Sequence, residues 1–185
     1  MCRNALLHDE FYEFLLRIDE DLAAETQAGA CRRCGNALHK NRYQRKPRGG
    51  GLIVLGKGPH FHFSLSCSKC HKRHAPASVR FLGRRVYLAA TVVMAGAVRS
   101  GLTGRCAAQL TECLCVPMST IKRWLAWWQQ DFVKSLFWKN ARARFMPPVS
   151  TAALPVSLLG RFKGPDLPSQ LVALLGFLAT PSEGR

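Results

Sequence analysis

The sequence predicts an α+β fold, and three observations carry that prediction. A Cys-x-x-Cys pair stands near each end of a stretch of short apolar or alternating runs between residues 31 and 74, residues 8 to 25 repeat apolar side chains at helical spacing, and helical patterning returns from Arg85 onward. At 185 residues the chain has room for one ordinary domain or two small modules. It is 48% hydrophobic and 21% charged, proportions at which a buried core is expected and wholesale disorder is not. Four segments are expected: an acidic amphipathic helix in 1–28, a cysteine-bearing β module with a basic loop in 29–84, a helical unit in 85–146, and a Pro-containing segment with short helices in 147–185.

Phe11, Phe14, Leu15, Ile18 and Leu22 are spaced as one face of a helix, with acids at many of the remaining positions. The plain reading is an apolar stripe docked on the core under a solvated acidic face; a sharper one lays this acidic helix against the basic surface, where it competes with a polyanion. Residues 31–74 read as strands and turns, with runs at 51–55 and 60–67. The triplet Gly49, Gly50 and Gly51 marks a turn, and His39 to Arg48 reads as an exposed basic loop. Helices are expected at about 85–99, 104–114 and 118–138, separated by Ser100-Gly101 and by Cys115-Val116-Pro117. Beyond Pro147-Pro148, Leu154 to Phe162 and Ser169 to Leu178 read as small helices.

Cys31-Arg32-Arg33-Cys34-Gly35 and Cys67-Ser68-Lys69-Cys70-His71 carry the most specific chemistry. Two residues between thiolates let a tight turn aim both sulfurs at one ion while backbone N–H groups point at them, and Gly35 allows the positive φ that such a turn needs. Two such turns complete a closed tetrahedral site of four thiolates, which leaves no open position for water and so implies a structural zinc ion. The 32 residues between Cys34 and Cys67 exceed the usual spacer. Doubling a loop costs only about 0.6 kcal/mol, against roughly 10 to 16 kcal/mol from a structural zinc. The competing readings are two unrelated pairs, a redox dithiol beside Arg32 and Arg33, or replacement of one cysteine by His71 or His74. Cys2, Cys106, Cys113 and Cys115 lack a partner turn and read as small buried hydrophobes.

His60-Phe61-His62 places two imidazoles on one face of a strand, an arrangement similar to the His-hydrophobic-His element of single-strand nucleases with a Tyr nucleophile, here Tyr87 or Tyr43. The plainer reading is a solvent-facing strip of His60, His62, Ser64 and Ser66 opposite Phe61, Phe63 and Leu65. Further on, Leu110 to Trp124 has the shape of a helix-turn-helix. Leu110, Leu114, Val116 and Ile121 stand where two helices must bury contacts, and the apolar run 86–98 supplies a third element. Ser119 or Thr120 would start the second helix and meet a phosphate, with Lys122 and Arg123 facing the groove. Any helical hairpin with a polar turn would match as well. Trp124, Leu125, Trp128 and Phe132 read as core.

The charge points to a partner. The formal net charge is +16, yet seven of the 11 acids lie in the first 25 residues, and from Thr26 to Arg105 there are 16 Lys or Arg and no acid. Such a stretch repels itself unless something anionic lies against it, and a polyphosphate is the commonest such partner. The candidate nucleic-acid contacts are Arg32, Arg33, Lys69, Lys72 and Arg73 at the cysteine turns; Lys40, Arg42, Arg45, Lys46 and Arg48 in the basic loop; Arg84 and Arg85; and Ser119, Thr120, Lys122 and Arg123 at the second helix. No secretory signal is recognisable at the N-terminus, and the longest apolar run, 86–98, is too short for a bilayer, so a cytoplasmic protein with no membrane partner is expected.

The order Cys-x-x-Cys-Gly, basic loop, strand, Cys-x-x-Cys-His, then Pro76 to Tyr87, then Ser119-Thr120-Ile121-Lys122-Arg123-Trp124, resembles the zinc-ribbon plus helix-turn-helix proteins associated with bacterial insertion sequences and transposases, over roughly residues 31 to 130. The resemblance implies a zinc ribbon with Cys31, Cys34, Cys67 and Cys70 as ligands, binding to double-stranded element DNA with the second helix as reader, and a transposase or other mobile-element protein as partner in the bacterial nucleoid. A metal-dependent recombinase needs three converging carboxylates, and past Glu25 only Glu112, Asp131, Asp166 and Glu183 remain. An accessory DNA-binding protein is therefore expected rather than the enzyme, with an RNA-binding zinc ribbon and a His60/His62 nuclease as the alternatives.

Overall fold

The computed structural model describes residues 9–44, 61–82, 87–98 and 116–179. Helix α1 (Asp9–Ala28) forms where the apolar period placed it. Its buried residues are Phe11, Leu15, Asp19 and Ala23, a strict i, i+4 line, with Ile18 and Leu22 half-buried beside it. Phe14, expected in the stripe, is 49% exposed, because the contact line runs along the i+4 row and leaves it on the flank. The helix ends at Gly29 and Ala30, the latter at φ 57°.

Three antiparallel strands follow, β1 (Leu38–Gln44), β2 (Phe61–Cys67) and β3 (Arg73–His74), in the order β1-β2-β3. The register runs from Leu38 opposite Cys67 to Gln44 opposite Phe61, and Ser66 lies opposite Arg73. Residues 39–44, read as the start of an exposed loop, are therefore strand; residues 45–48 lie outside the described residues. The cause is cross-strand: β1 has only one buried residue, Leu38, but Lys40 and Arg42 lie over the Phe63 ring, 5.7 and 5.5 Å from its centroid, and so help cover β2. Phe63, Leu65 and Cys67 are buried on one face of β2, as its alternation predicts.

A short ladder of β4 (Phe81–Leu82) and β5 (Tyr87–Leu88) leads directly into α2 (Ala89–Val98), which starts later than expected because Tyr87 and Leu88 pair with Leu82 and Phe81. The expected helix 104–114, and with it Leu110, Leu114 and Cys115 at the start of the turn, lies outside the described residues. Helix α3 (Met118–Ala126) continues into a π-helical turn, Trp127–Phe132. Trp124, Trp128 and Phe132, four residues apart, are all buried. At 3.6 residues per turn such a row drifts around an α-helix, and the wider π turn keeps it aimed at the core. The expected unbroken helix over 118–138 stops at Ser135, whose ψ of 145° is extended and whose Oγ accepts the Trp138 N–H at 3.1 Å, capping α4 (Leu136–Ala141). Two short helices close the described chain, α5 (Val156–Leu159) and α6 (Leu167–Ala179), the second capped by Asp166, whose Oδ1 accepts from the Ser169 N–H at 2.8 Å.

Residues of α1, the segment around Val79, α2, α3, α4 and the C-terminal helices share one apolar cluster, whereas the sheet keeps a separate cluster of Cys31, Leu38, Leu65 and Cys67. A buried ion pair joins the two. Asp19 on α1 accepts from Ser78 Oγ, the Val79 N–H and Arg80 Nε, each at 2.7 Å, and the other arm of Arg80 donates to the Phe61 carbonyl on β2 at 2.6 Å. Asp19 is 2% and Arg80 5% exposed. Burying two charges is costly, and this pair offsets the cost by saturating the carboxylate with donors.

Two measurements follow. Asp19→Ala, which strands the Arg80 guanidinium, is expected to destabilise the chain by about 3 to 5 kcal/mol in urea titrations, and Arg80→Met added to it to restore part of that loss. Burial, partly opposed by a side-chain hydrogen bond to Thr91, pushes the Tyr12 phenol up to about 12 from 10.0. The folded state thus keeps the proton longer than the unfolded one, so this contribution is complete below pH 10 and lost as pH rises toward 12, by about 3 kcal/mol. Tyr12→Phe should show a correspondingly shallower alkaline loss of stability.

Candidate metal centre

Both Cys-x-x-Cys segments fold into the same turn. In the first, the Gly35 N–H donates to the Cys31 carbonyl at 2.8 Å and the Cys31 N–H to the Asn36 carbonyl at 2.9 Å; in the second, the His71 N–H donates to the Cys67 carbonyl at 3.2 Å and the Cys67 N–H to the Lys72 carbonyl at 3.0 Å. The residue after the second cysteine is left-handed in each, Gly35 at φ 69° and His71 at φ 54°. His71 thus does in the second turn what glycine does in the first, and it is exposed there rather than aimed at the sulfurs.

The turns meet at the end of the β1–β2 ladder, where Leu38 lies opposite Cys67. The sulfurs of Cys31, Cys34, Cys67 and Cys70 all lie within 4.8 Å of one another; Cys31 to Cys70 is 3.6 Å and Cys34 to Cys67 is 3.4 Å. A tetrahedron of thiolates about 2.3 Å from a central metal has edges of about 3.8 Å, so these four sulfurs fit a metal ion. Among the described residues they form the only such cluster. His74 Nε2 lies 3.3 Å from Cys31 Sγ, a neighbour that can steady the sulfur.

The electrostatics ask for a cation. The Cys67 thiol is brought down to about 6, foremost by the Cys70 N–H, against desolvation, with the Lys69 N–H adding to it. Desolvation raises the Cys31 thiol, but the Arg33 and Cys34 N–H groups and the neighbouring Cys70 and Cys34 sulfurs together bring it below its ordinary value. Cys34 receives the Asn36 N–H, which lowers it, yet the neighbouring sulfurs, Cys67 first, push it up to about 11. Four thiolates this close ionise together only around a positive ion.

Bringing the turns together also gathers their charges. Arg32, Arg33, Lys69, Lys72 and Arg73 are all exposed around the sulfur cluster. Lys40 and Arg42 are exposed too, but on the sheet face toward α1, where Arg42 pairs with Glu20 at 2.9 Å. Arg45, Lys46, Arg48, Arg84 and Arg85 lie outside the described residues, as do His60 and the cysteines at 2, 106, 113 and 115. On α3 the helix is preceded by Pro117, so neither Ser119 nor Thr120 is its cap. Ser119, Lys122 and Arg123 are exposed, but Thr120 is buried and its hydroxyl accepts from Arg123 at 3.1 Å, so Thr120 is not placed for a phosphate. His62, read as part of a solvent-facing strip, is half-buried with its ring stacked between Phe81 and Tyr43, because the β1 register brings Tyr43 beside it.

Compared with protein-family models, curated proteins and solved structures, the chain matches none. No helix among the described residues is long and apolar enough to cross a membrane.

Asp19 and Arg80 do not stand out in the sequence as a pair. The signal for Asp19 was present: of the seven N-terminal acids, it is the one four residues from both Leu15 and Ala23. Nothing marked Arg80 among so many basic residues.

The cluster makes a sharp prediction. Wild-type protein should hold one metal equivalent per chain, Cys31→Ser and Cys67→Ser none, and Cys106→Ser the full equivalent. Because the sheet cluster is separate from the main core, a strong chelator should abolish the amide protection of β1 and β2 while most of the helical circular dichroism persists; equal metal content in wild type and Cys31→Ser would refute the assignment.

Proposed function

We propose that the chain is a DNA-binding protein, an accessory protein of a mobile element, in which a structural zinc ion held by Cys31, Cys34, Cys67 and Cys70 sets two basic turns against the phosphates of duplex DNA. Zinc suits a closed four-thiolate tetrahedron, and such a site supplies folding energy rather than an open position for chemistry. One observation carries the reading: the sulfur cluster brings Arg32 and Arg33, distant in sequence from Lys69, Lys72 and Arg73, to the same end of the sheet, all exposed. No carboxylate lies between Thr26 and Arg105 to neutralise them. Lys122 and Arg123, exposed on α3, supply a second contact, and the order of motifs supports the mobile-element part of the reading and a transposase as partner.

In this arrangement the basic turns position the protein on the backbone, and α3 is the element available to read base edges. The N–H groups aimed at the sulfurs fix the turns, so the guanidinium groups of Arg32 and Arg33 meet phosphates from a rigid base.

Duplex binding measured across rising salt should weaken steeply. The double variant Arg32→Ala/Arg33→Ala should flatten the log–log slope by about 2 while keeping one zinc per chain by metal analysis. Salt-independent binding, or an unchanged slope in that variant, would overturn the proposal.

A further inference from the structure

The register divides the residues of β1 and β2 between two faces. Residues paired across an antiparallel ladder share a face, so Lys40, Arg42, Phe63 and Leu65 look toward α1, while Asn41, Tyr43, His62 and Ser66 look away from it, joined by Arg73 opposite Ser66 on β3. The outer face holds a column of rings. Tyr43 is stacked on His62 with centroids 5.6 Å apart and planes 19° apart, and His62 on Phe81 at 3.9 Å and 26°. Beneath Phe81, 5.0 Å from its centroid, lies the Arg80 guanidinium, itself fixed by Asp19. The column therefore begins at a buried ion pair and ends at the surface in Tyr43, 41% exposed. A ring held this firmly loses little freedom when another ring settles against it.

We propose that this outer face binds single-stranded DNA, with an unpaired base stacked on Tyr43. In a duplex, base faces are covered by their neighbours, and only an unpaired base offers its π-face to an aromatic side chain. The rest of the face suits a strand. Asn41 Nδ2 donates to Ser66 Oγ at 3.1 Å, which presents an amide and a hydroxyl for base edges, and Arg73 stands exposed beside them for a phosphate. Glu20 of α1 holds Arg42 on the opposite face, and the strands themselves carry no carboxylate to oppose a polyanion on this track. The inference deepens the DNA-binding reading and rests on it, adding a mode in which melted or frayed ends are held.

The test uses the full chain with zinc bound, a 12-nucleotide single strand, and the duplex of the same sequence. Tyr43→Ala should weaken single-strand binding by about 5- to 150-fold and duplex binding by less than about 2-fold, whereas Tyr43→Trp should retain single-strand affinity. With 2-aminopurine in the strand, wild type and Tyr43→Trp should quench its fluorescence on binding and Tyr43→Ala should not, at equal zinc content in all three. An equal loss for both DNAs, no loss for either, or unquenched 2-aminopurine with wild type would overturn the inference while leaving duplex binding standing. Failure of wild type to bind either DNA would overturn both readings, and tighter binding to RNA of the same sequence would overturn the assignment to DNA.

Discussion

The β module depends on four sulfur atoms meeting at one point. Its own apolar cluster consists of Cys31, Leu38, Leu65 and Cys67, so half of what is buried there is sulfur-bearing. Three short strands with so little core do not hold together on hydrophobic burial alone. The module also carries a dense positive charge, and gathering Arg32, Arg33, Lys69, Lys72 and Arg73 at one end works against folding. A cation among four thiolates would offset both deficits, because the site as a whole would then be anionic at the end of the sheet where those guanidinium and ammonium groups gather. The same ligands that close the fold thereby stabilise the charge that the fold displays.

The second constraint is the joint between this module and the helical body. An isolated sheet of this size could tilt freely on its neighbour, but Asp19 reaches from α1 to the segment carrying Ser78, Val79 and Arg80, and Arg80 reaches on to the Phe61 carbonyl in β2. Three segments distant in sequence are thus fixed at one point by directional bonds in a buried setting, where slippage would leave a charge unpaired. Gln27 Nε2, donating to the Leu38 carbonyl at 3.1 Å, adds a lighter tie at the far end of α1. Two ties along one helix resist rotation about either, so the sheet and its basic turns hold a fixed relation to α1.

What the sequence disclosed was what repeats or clusters locally. The cysteine spacing pointed to the four sulfurs because a two-residue gap suits a turn that aims both thiols at one point, and the buried Trp124 and Trp128 followed from period alone. Contacts set by distant partners were illegible. Residues 39–44 look like a polar loop until β2 lies beside them, and Asp19 looks like one more solvated acid until Arg80 arrives. The break at Ser135 was local yet missed, since a serine inside a helical run reads as tolerated until Trp138 supplies the N–H for it to cap. His71 escaped for the opposite reason. It resembled a metal ligand in sequence, whereas its backbone supplies the left-handed residue that each cysteine turn requires.

The uneven charge of the chain acquires a meaning from the faces of the sheet. An acidic helix beside a basic sheet could neutralise it and abolish attraction for a polyanion. The register prevents this, because Glu20 engages Arg42 on the inner face, whereas Arg73 lies on the outer one and the cysteine turns carry their charge at the end of the ladder. Attraction between exposed charges fades within about 8 Å at physiological salt, and surface pairs are worth little individually, so α1 affects mainly the face it touches. Glu20 then serves as a partition: it neutralises Arg42 on the side of the sheet packed on the body and leaves the opposite side and the cysteine turns as the surfaces where an anionic partner would find uncompensated charge.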